Sequence, residues 1–231
     1  ELNMEVIVEV SIYFVTLTIL GINLAKANPS QPYMSFLATS VMAIGSLKHY
    51  FSQTWDLSHE TVSQPWYDPV TQSLTLFAFA YMFADLPILL FYGKMETYER
   101  VMFVIHHMVS AVQLGSSIYC NKYQRLVLFF ITAEATNILL NFRKLIPQTG
   151  TFKLVVDAMF ASSFLIYRMC YLFPVIVRTV FILSVAGEWF DLFVINQGAL
   201  FVGILHIWWT YLILKGIFEI VVPPKQKEKS E

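Results

Sequence analysis

Long apolar segments with few charged residues recur along this chain. A helix that crosses the hydrocarbon core of a bilayer needs about 20 mostly apolar residues. Seven segments approach this length, at approximately residues 6–24, 33–53, 71–92, 99–119, 123–142, 152–173 and 197–220. The sequence therefore predicts an all-α, polytopic membrane protein with about seven transmembrane helices.

The composition argues against several other classes of protein. Only 13% of the residues are charged and 57% are hydrophobic, whereas soluble domains carry about 25% charged residues. A formal net charge of −1 does not indicate the basic surface of a nucleic-acid-binding protein. Neither Cys120 nor Cys170 belongs to a Cys-x-x-Cys pair, so no disulfide framework or zinc site is expected. We expect a single transmembrane domain over residues 1–231, with no nucleic-acid partner.

Two of the seven segments are irregular. The second carries Lys48, His49 and Gln53 near its end, which makes it an unusual membrane span. The sixth is followed by Pro174, after which an apolar run continues to Val185. Because proline kinks or ends a helix, this run is either a kinked extension of the sixth segment or a short helix lying on the membrane surface.

Ionisable and amide side chains occur inside the apolar segments. An ionisable group at the centre of a membrane helix costs about 2.5–3.5 kcal/mol on insertion scales, so it usually faces a cavity or a partner. The residues concerned are Asp85, His106, His107, Glu134, Asn137, Asn141, Asp157, Arg168 and His206.

The fourth segment carries its polar residues on one stripe. At 3.6 residues per turn, His106, Ser110 and Gln113 fall on one narrow face, whereas His107 is turned towards the face of Ala111. This arrangement favours His106 over His107 as the histidine that faces a polar interior.

The fifth and sixth segments show the same organisation. Glu134, Asn137 and Asn141 stand at positions i, i+3 and i+7, which share a helix face. Asp157 and Arg168 are eleven residues apart, which is close to three helical turns. Polar lines on several helices are most simply explained by a polar-lined cavity that these helices share.

Three kinds of chemistry could use these groups. A neutral imidazole acts as a nucleophile or general base when a carboxylate holds its other nitrogen, and Asp85 and Glu134 are the candidate carboxylates. Acyl transfer within the membrane is therefore one possibility. A metal site is a second, but adjacent histidines on a helix diverge too widely to bind one ion readily, so none is expected. The third is a proton relay or a lipid head-group site without a reaction.

Structural roles are the alternative for most of these residues. Asp157 and Arg168 could pair with groups on other helices, and Glu134 with its two asparagines could join spans by hydrogen bonds. For His206, which lies beside two tryptophans near a helix end, a hydrogen-bonded position at the membrane interface is the simpler interpretation.

The order of these motifs resembles the TLC-domain family, the membrane domain of ceramide synthases and of a set of smaller lipid-linked proteins. The resemblance covers roughly residues 75–220. Its elements are Asp85 within 81–90, the pair His106-His107, the stretches 132–137 and 141–143, Arg168 followed by Pro174, and the closing stretch 206–209 with 214–216. The double histidine is the most specific of these elements.

The resemblance implies a barrel of six helices around a lipid cavity, with no bound cofactor and with acyl-CoA as the substrate of an acyl transfer. It implies that His106 takes the acyl group and that His107 supports His106 as a base or structural partner. Asp85 and Glu134 would orient or polarise the reacting groups. The residues expected to line the cavity are Asn137, Asn141, Gln113, Ser110, Arg168 and Asp157.

One stretch departs from the ceramide synthase pattern. Those enzymes carry His-Asp-x-Ser-Asp-x-x-Leu-Glu where residues 133–141 read Ala-Glu-Ala-Thr-Asn-Ile-Leu-Leu-Asn, which is more similar to the smaller TLC-domain proteins. Non-catalytic lipid binding or regulation, and a structural subunit of a larger membrane complex, are the alternative functions. The expected partners are membrane lipids, together with a homo-oligomer or membrane-complex partners. The expected location is the endoplasmic reticulum membrane, with a mitochondrial or other organelle membrane as the alternative.

Overall fold

The computed structural model describes residues 4–28, 32–52, 69–92, 96–186 and 191–221. Within these ranges the chain is helical apart from short turns, and no strand occurs in them. Gln53 and the side chains of Lys48 and His49 lie outside the described residues.

The helices follow the apolar segments. Their bounds are α1 Met4–Ala27, α2 Tyr33–Ser52, α3 Pro69–Phe91, α4 Thr97–Cys120, α5 Gln124–Ile131, α6 Glu134–Leu145, α7 Thr151–Ser163, the π-helix π1 Phe164–Leu172, α8 Phe173–Ala186, the π-helix π2 Asp191–Asn196 and α9 Gln197–Val221.

Six described stretches are long and apolar enough to cross a membrane, namely Met4–Ala27, Pro69–Phe91, Thr97–Cys120, Leu126–Leu145, Thr151–Val185 and Gln197–Val221. The irregular second segment contains a shorter apolar helix, Tyr33–Leu47. The predicted all-α, multi-pass membrane fold is therefore confirmed. The apolar run after Pro174 continues the sixth helix, because α7, π1 and α8 follow one another without interruption.

Contacts between the helices close into a ring. Taken around the ring, α2 packs on α3, α3 on α4, α4 on α9, α9 on α8 and π1, α7 on α6, and α6 back on α2. The short helix α5 contacts α2, α3 and α4. Helix α1 packs mainly on α3 and less extensively on α2, so it is an outer helix. Six passes thus form a barrel-like ring, and the polar residues of the apolar segments belong to these six.

The π-helix π1 lets one side of a long span remain buried. Every fourth residue is buried, namely Val156, Phe160, Phe164, Arg168, Leu172 and Ile176. In an α-helix, steps of four residues drift by about 40° each because one turn takes 3.6 residues. The wider turns of a π-helix, with i→i+5 hydrogen bonds, offset this drift. The long span consequently keeps Arg168 facing the ring interior.

Outer helix α1 approaches α3 closely at a glycine. Leu17, Gly21 and Ala25 form its buried stripe, and a Cβ atom added to Gly21 would lie 2.2 Å from Cδ1 of Ile88. Packing through small residues is the usual way in which membrane helices approach one another.

Gly21→Leu should lower the free energy of unfolding by about 1–3 kcal/mol, because overpacking forces neighbouring side chains and backbone to shift. The matched control is Gly216→Leu, since no heavy atom lies within 4 Å of a Cβ added there. Thermal unfolding of the purified protein in detergent, followed by size-exclusion chromatography, measures both variants. Equal shifts for the two would contradict the close approach.

Candidate functional site

Polar and aromatic side chains from five parts of the ring meet in its interior. We call this group the interior cluster. It consists of Asp85 on α3, His106 and His107 on α4, Glu134 and Asn137 on α6, Arg168 on π1, and His206 and Trp209 on α9. The contacts between its members, given below, form a continuous chain from α3 to α9.

Asp85 and His107 form the first link. Nε2 of His107 lies 3.1 Å from Oδ2 of Asp85, and both side chains are buried. The alignment of Nε2 with this oxygen is poor, so the two groups are close but not hydrogen-bonded. The hydroxyl of Tyr81, one turn before Asp85, donates to the same oxygen over 3.5 Å.

A backbone contact orients the ring of His107. Nδ1 of His107 lies 2.8 Å from the carbonyl oxygen of Phe103, and a carbonyl can only accept, so Nδ1 carries a hydrogen. Nε2 is therefore the ring nitrogen that faces the carboxyl of Asp85.

His106 is placed differently from its neighbour. Its ring lies edge-on to His107, with centroids 5.6 Å apart, and edge-on to Trp209, also at 5.6 Å. His106 is half-buried, and its buried Nδ1 has no hydrogen-bond partner among the described residues. Nothing in the described part of the chain fixes its tautomer, whereas backbone carbonyls fix those of His107 and His206.

Arg168 joins π1 to α6 through three hydrogen bonds. Its Nε donates to Oγ1 of Thr136 over 2.6 Å, and its Nη2 donates to the Ala133 carbonyl and to Oδ1 of Asn137, each over 2.8 Å. The amide of Asn137 in turn donates to Oε2 of Glu134 over 2.7 Å. Asn137 therefore bridges the buried guanidinium of Arg168 and the buried carboxylate of Glu134, which do not contact each other directly.

Aromatic rings cover the guanidinium. Cζ of Arg168 lies 5.0 Å from the ring centroid of Phe164 and 5.8 Å from that of Trp209. These distances suit cation–π attraction, which strengthens where water is excluded. Trp209 consequently contacts Arg168, His106 and His206, and it lies at the centre of the interior cluster.

The remaining predicted site residues have other surroundings. Asn141 donates to Oγ1 of Thr39 over 3.4 Å and thereby ties α6 to α2. Gln113 donates to the Ile195 carbonyl over 3.3 Å, and Ser110 is half-buried on the same stripe as His106.

Asp157 lies apart from the interior cluster. It pairs with Arg143 at 2.8 Å and with Lys153, one turn earlier on α7. The sequence predicts that Asp157 and Arg168 share a helix face. In the structure the two side chains do not meet, because the π-helix begins between them. In the described part of the chain, no three His, Cys, Asp or Glu residues are grouped so as to hold a metal ion.

Some members and neighbours of the interior cluster were not predicted as site residues. Trp209 belongs to a motif that the family resemblance used, but we assigned it no role. Thr132, Thr136 and Tyr167 form hydrogen bonds around Arg168 and α6. Tyr81 could have been found from its i, i+4 spacing to Asp85. For Tyr167, no signal in the sequence distinguishes it from the many other aromatic residues.

Two grooves lie on the outside of the ring, with volumes of about 250 and 380 Å³. Both are lined by Phe79, Gly115 and Tyr119, and the first also by residues of α1. Neither contains a residue of the interior cluster. On the inside, α4 and α9 touch only sparsely, and His106 and Ser110 on this side of α4 are half-buried.

Comparison with known families decides what this arrangement belongs to. The family model described as the TLC domain matches residues 30–215, which is most of the 231-residue chain. The chain belongs to the TLC-domain family. A search of curated proteins finds no match. The TLC-domain match covers the whole interior cluster and begins after α1, in agreement with the outer position of that helix. With six helices suited to span a bilayer, this TLC-domain protein is an integral membrane protein related to membrane lipids.

Proposed function

We propose that this TLC-domain protein transfers acyl chains within the membrane and that His106 takes the acyl group from an acyl-CoA thioester. One observation carries the proposal. Of the three histidines in the interior cluster, His106 is half-buried and makes no hydrogen bond to any described residue. A nucleophile needs a lone pair that no hydrogen bond occupies, and the lack of such bonds at His106 supports this role.

The reaction has two half-reactions. In the first, a ring nitrogen of His106 attacks the thioester carbonyl, the C–S bond breaks, and CoA leaves with the proton that the ring gives up. In the second, the hydroxyl or amino group of a lipid acceptor attacks the acyl-imidazole, and the C–N bond breaks. Splitting one difficult step into two easier ones is the advantage of a covalent intermediate.

Charge within the interior cluster supports this chemistry. The guanidinium of Arg168 and the ring of His106 both contact Trp209, and the hydrogen-bond partners of Arg168 are all neutral oxygens. A positive group held away from water stabilises negative charge that develops on a carbonyl oxygen. His107, held by Asp85, supports the position of His106 from the other side.

We place the access route for the acyl chain between α4 and α9, which touch only sparsely. Ser110 and His106 line this side of α4, so a chain that enters here from the bilayer would bring its carbonyl to His106. The family pattern supports the endoplasmic reticulum as the location, with another organelle membrane as the alternative, and supports a membrane lipid as the acceptor.

Incubation with palmitoyl-CoA, followed by mass spectrometry of the intact protein and its peptides, tests the proposal. The wild-type protein should carry an acyl group on His106, and His106→Ala should lose both the adduct and any transfer activity. The control is Met108→Ala, which changes an exposed side chain on the same helix and should acylate normally. Wild-type protein without an adduct, with activity unchanged in His106→Ala, would overturn the enzymatic function.

A non-catalytic lipid-binding protein is the second candidate. It is favoured by the way in which Arg168, Asn137 and Glu134 satisfy one another, as expected of a structural network. Lipid that copurifies with the protein but is never covalently attached, together with loss of that lipid in Glu134→Leu, would support this second function.

A further inference from the structure

His206 has no part in the chemistry described so far, although it lies in the interior cluster. Only 1% of the residue is exposed. Its ring packs against Phe164 with centroids 6.2 Å apart and against Trp209 at 6.1 Å. The sequence alone favoured a position at the membrane interface, whereas the structure places His206 inside the ring.

Its tautomer follows from one backbone contact. Nδ1 of His206 lies 2.7 Å from the carbonyl oxygen of Val202, one turn earlier on α9. Because a carbonyl only accepts, Nδ1 carries the hydrogen and the neutral ring has a lone pair on Nε2. That atom is buried and has no hydrogen-bond partner among the described residues.

A buried acceptor without a donor indicates that a partner is absent from the protein itself. Buried polar atoms in proteins nearly always have a partner, so each exception calls for an explanation. The described charged group that shares the surroundings of His206 is Arg168, which contacts the same two aromatic rings. A cationic partner would be repelled there. The group that suits Nε2 is therefore an uncharged O–H or N–H donor.

We infer that Nε2 of His206 accepts a hydrogen bond from the acyl acceptor, a lipid hydroxyl or un-ionised amine, and orients it for attack. This inference rests on the proposed function, because it assigns the second half-reaction to a second histidine. His106 and His206 both contact Trp209, so the two imidazoles border the same aromatic ring.

Transfer to the acceptor moves one proton. The acceptor oxygen or nitrogen, with its hydrogen held by Nε2 of His206, attacks the acyl carbon on His106. The bond between the acyl carbon and the His106 nitrogen then breaks, and its electron pair returns to the imidazole of His106. That imidazole takes the proton that the acceptor loses, so both histidines end neutral and the product is an ester or an amide.

Separating the two half-reactions tests this role. Wild-type protein and His206→Asn are first acylated with palmitoyl-CoA and freed of excess reagent. Each is then mixed with a C16 primary alcohol or a sphingoid long-chain amine, and loss of the His106 adduct is followed by mass spectrometry. The asparagine amide can still donate to the Val202 carbonyl, so the local structure should persist.

We expect His206→Asn to acylate as fast as the wild-type protein but to lose the adduct about 10-fold more slowly, because the acceptor loses the hydrogen bond that orients it. The alcohol and amine arms identify the acceptor class. The control is Thr210→Val, which removes a hydroxyl that donates to the His206 carbonyl over 2.7 Å and should transfer normally.

Two results would overturn the inference. One is loss of the adduct at the wild-type rate in His206→Asn. The other is a folded His206→Asn that fails to acylate, since its role would then lie before transfer. If His206→Asn does not fold, the experiment uses His206→Gln instead. Wild-type protein that never acylates would instead defeat the proposed function, and this inference with it.

Discussion

Asp85→Leu is expected to lower the free energy of unfolding by about 3–5 kcal/mol, the usual effect of removing one partner of a buried ion pair. Its carboxyl lies 3.1 Å from Nε2 of His107, and both side chains are buried. Leucine would leave that nitrogen facing apolar groups.

Asparagine at the same position should be much milder. With Nδ1 of His107 protonated by its contact with the Phe103 carbonyl, a neutral ring accepts at Nε2, and the amide of Asp85→Asn can donate to it. The double variant Asp85→Leu/His107→Leu should recover part of the loss, because it removes both polar partners. Unfolding in mixed detergent and SDS micelles measures the complete cycle. A loss in Asp85→Asn equal to that in Asp85→Leu would show that the negative charge itself is required.

Arg168→Met is expected to be the second large effect, again about 3–5 kcal/mol. The substitution removes three hydrogen bonds to α6 and leaves the buried Glu134 carboxylate, which Asn137 links to Arg168, without a nearby cation. Arg168→Lys should restore only a small part of the loss, because a single ammonium cannot reproduce the fork of a guanidinium.

The double variant Glu134→Gln/Arg168→Met provides the matched control for charge. It should be more stable than Arg168→Met alone, since glutamine places no uncompensated charge in the interior. Retention of the folded peak after heating measures both variants. If Arg168→Lys equals the wild-type protein, the fork geometry is unimportant and charge alone is sufficient.

The helical membrane fold could be predicted because its signal is local. Length and hydropathy identify a spanning helix without knowledge of its neighbours, and six of the seven segments correspond to helices that meet both criteria. For the second segment, the described residues contain the shorter apolar helix Tyr33–Leu47.

The interior cluster could be predicted only in part. Periodicity identified the stripe of His106 and the face shared by Glu134 and Asn137, because both depend on the regular turn of one helix. It could not show that Asp85 would meet His107 rather than His106, since that depends on how α3 packs on α4. The π-helix was also not foreseeable from periodicity, and for that reason Asp157 and Arg168 were placed together although the structure separates them.

The π-helix π1 also limits how the length of this span can change. Loops between helices tolerate added or missing residues, but a residue removed within π1 would turn one half of the span by about 100° against the other. Arg168 and Leu183, both buried on the same long helix, could then no longer face inward together. Along this stretch the number of residues is thus as tightly constrained as their identity, and alignments of related chains should show no gaps there.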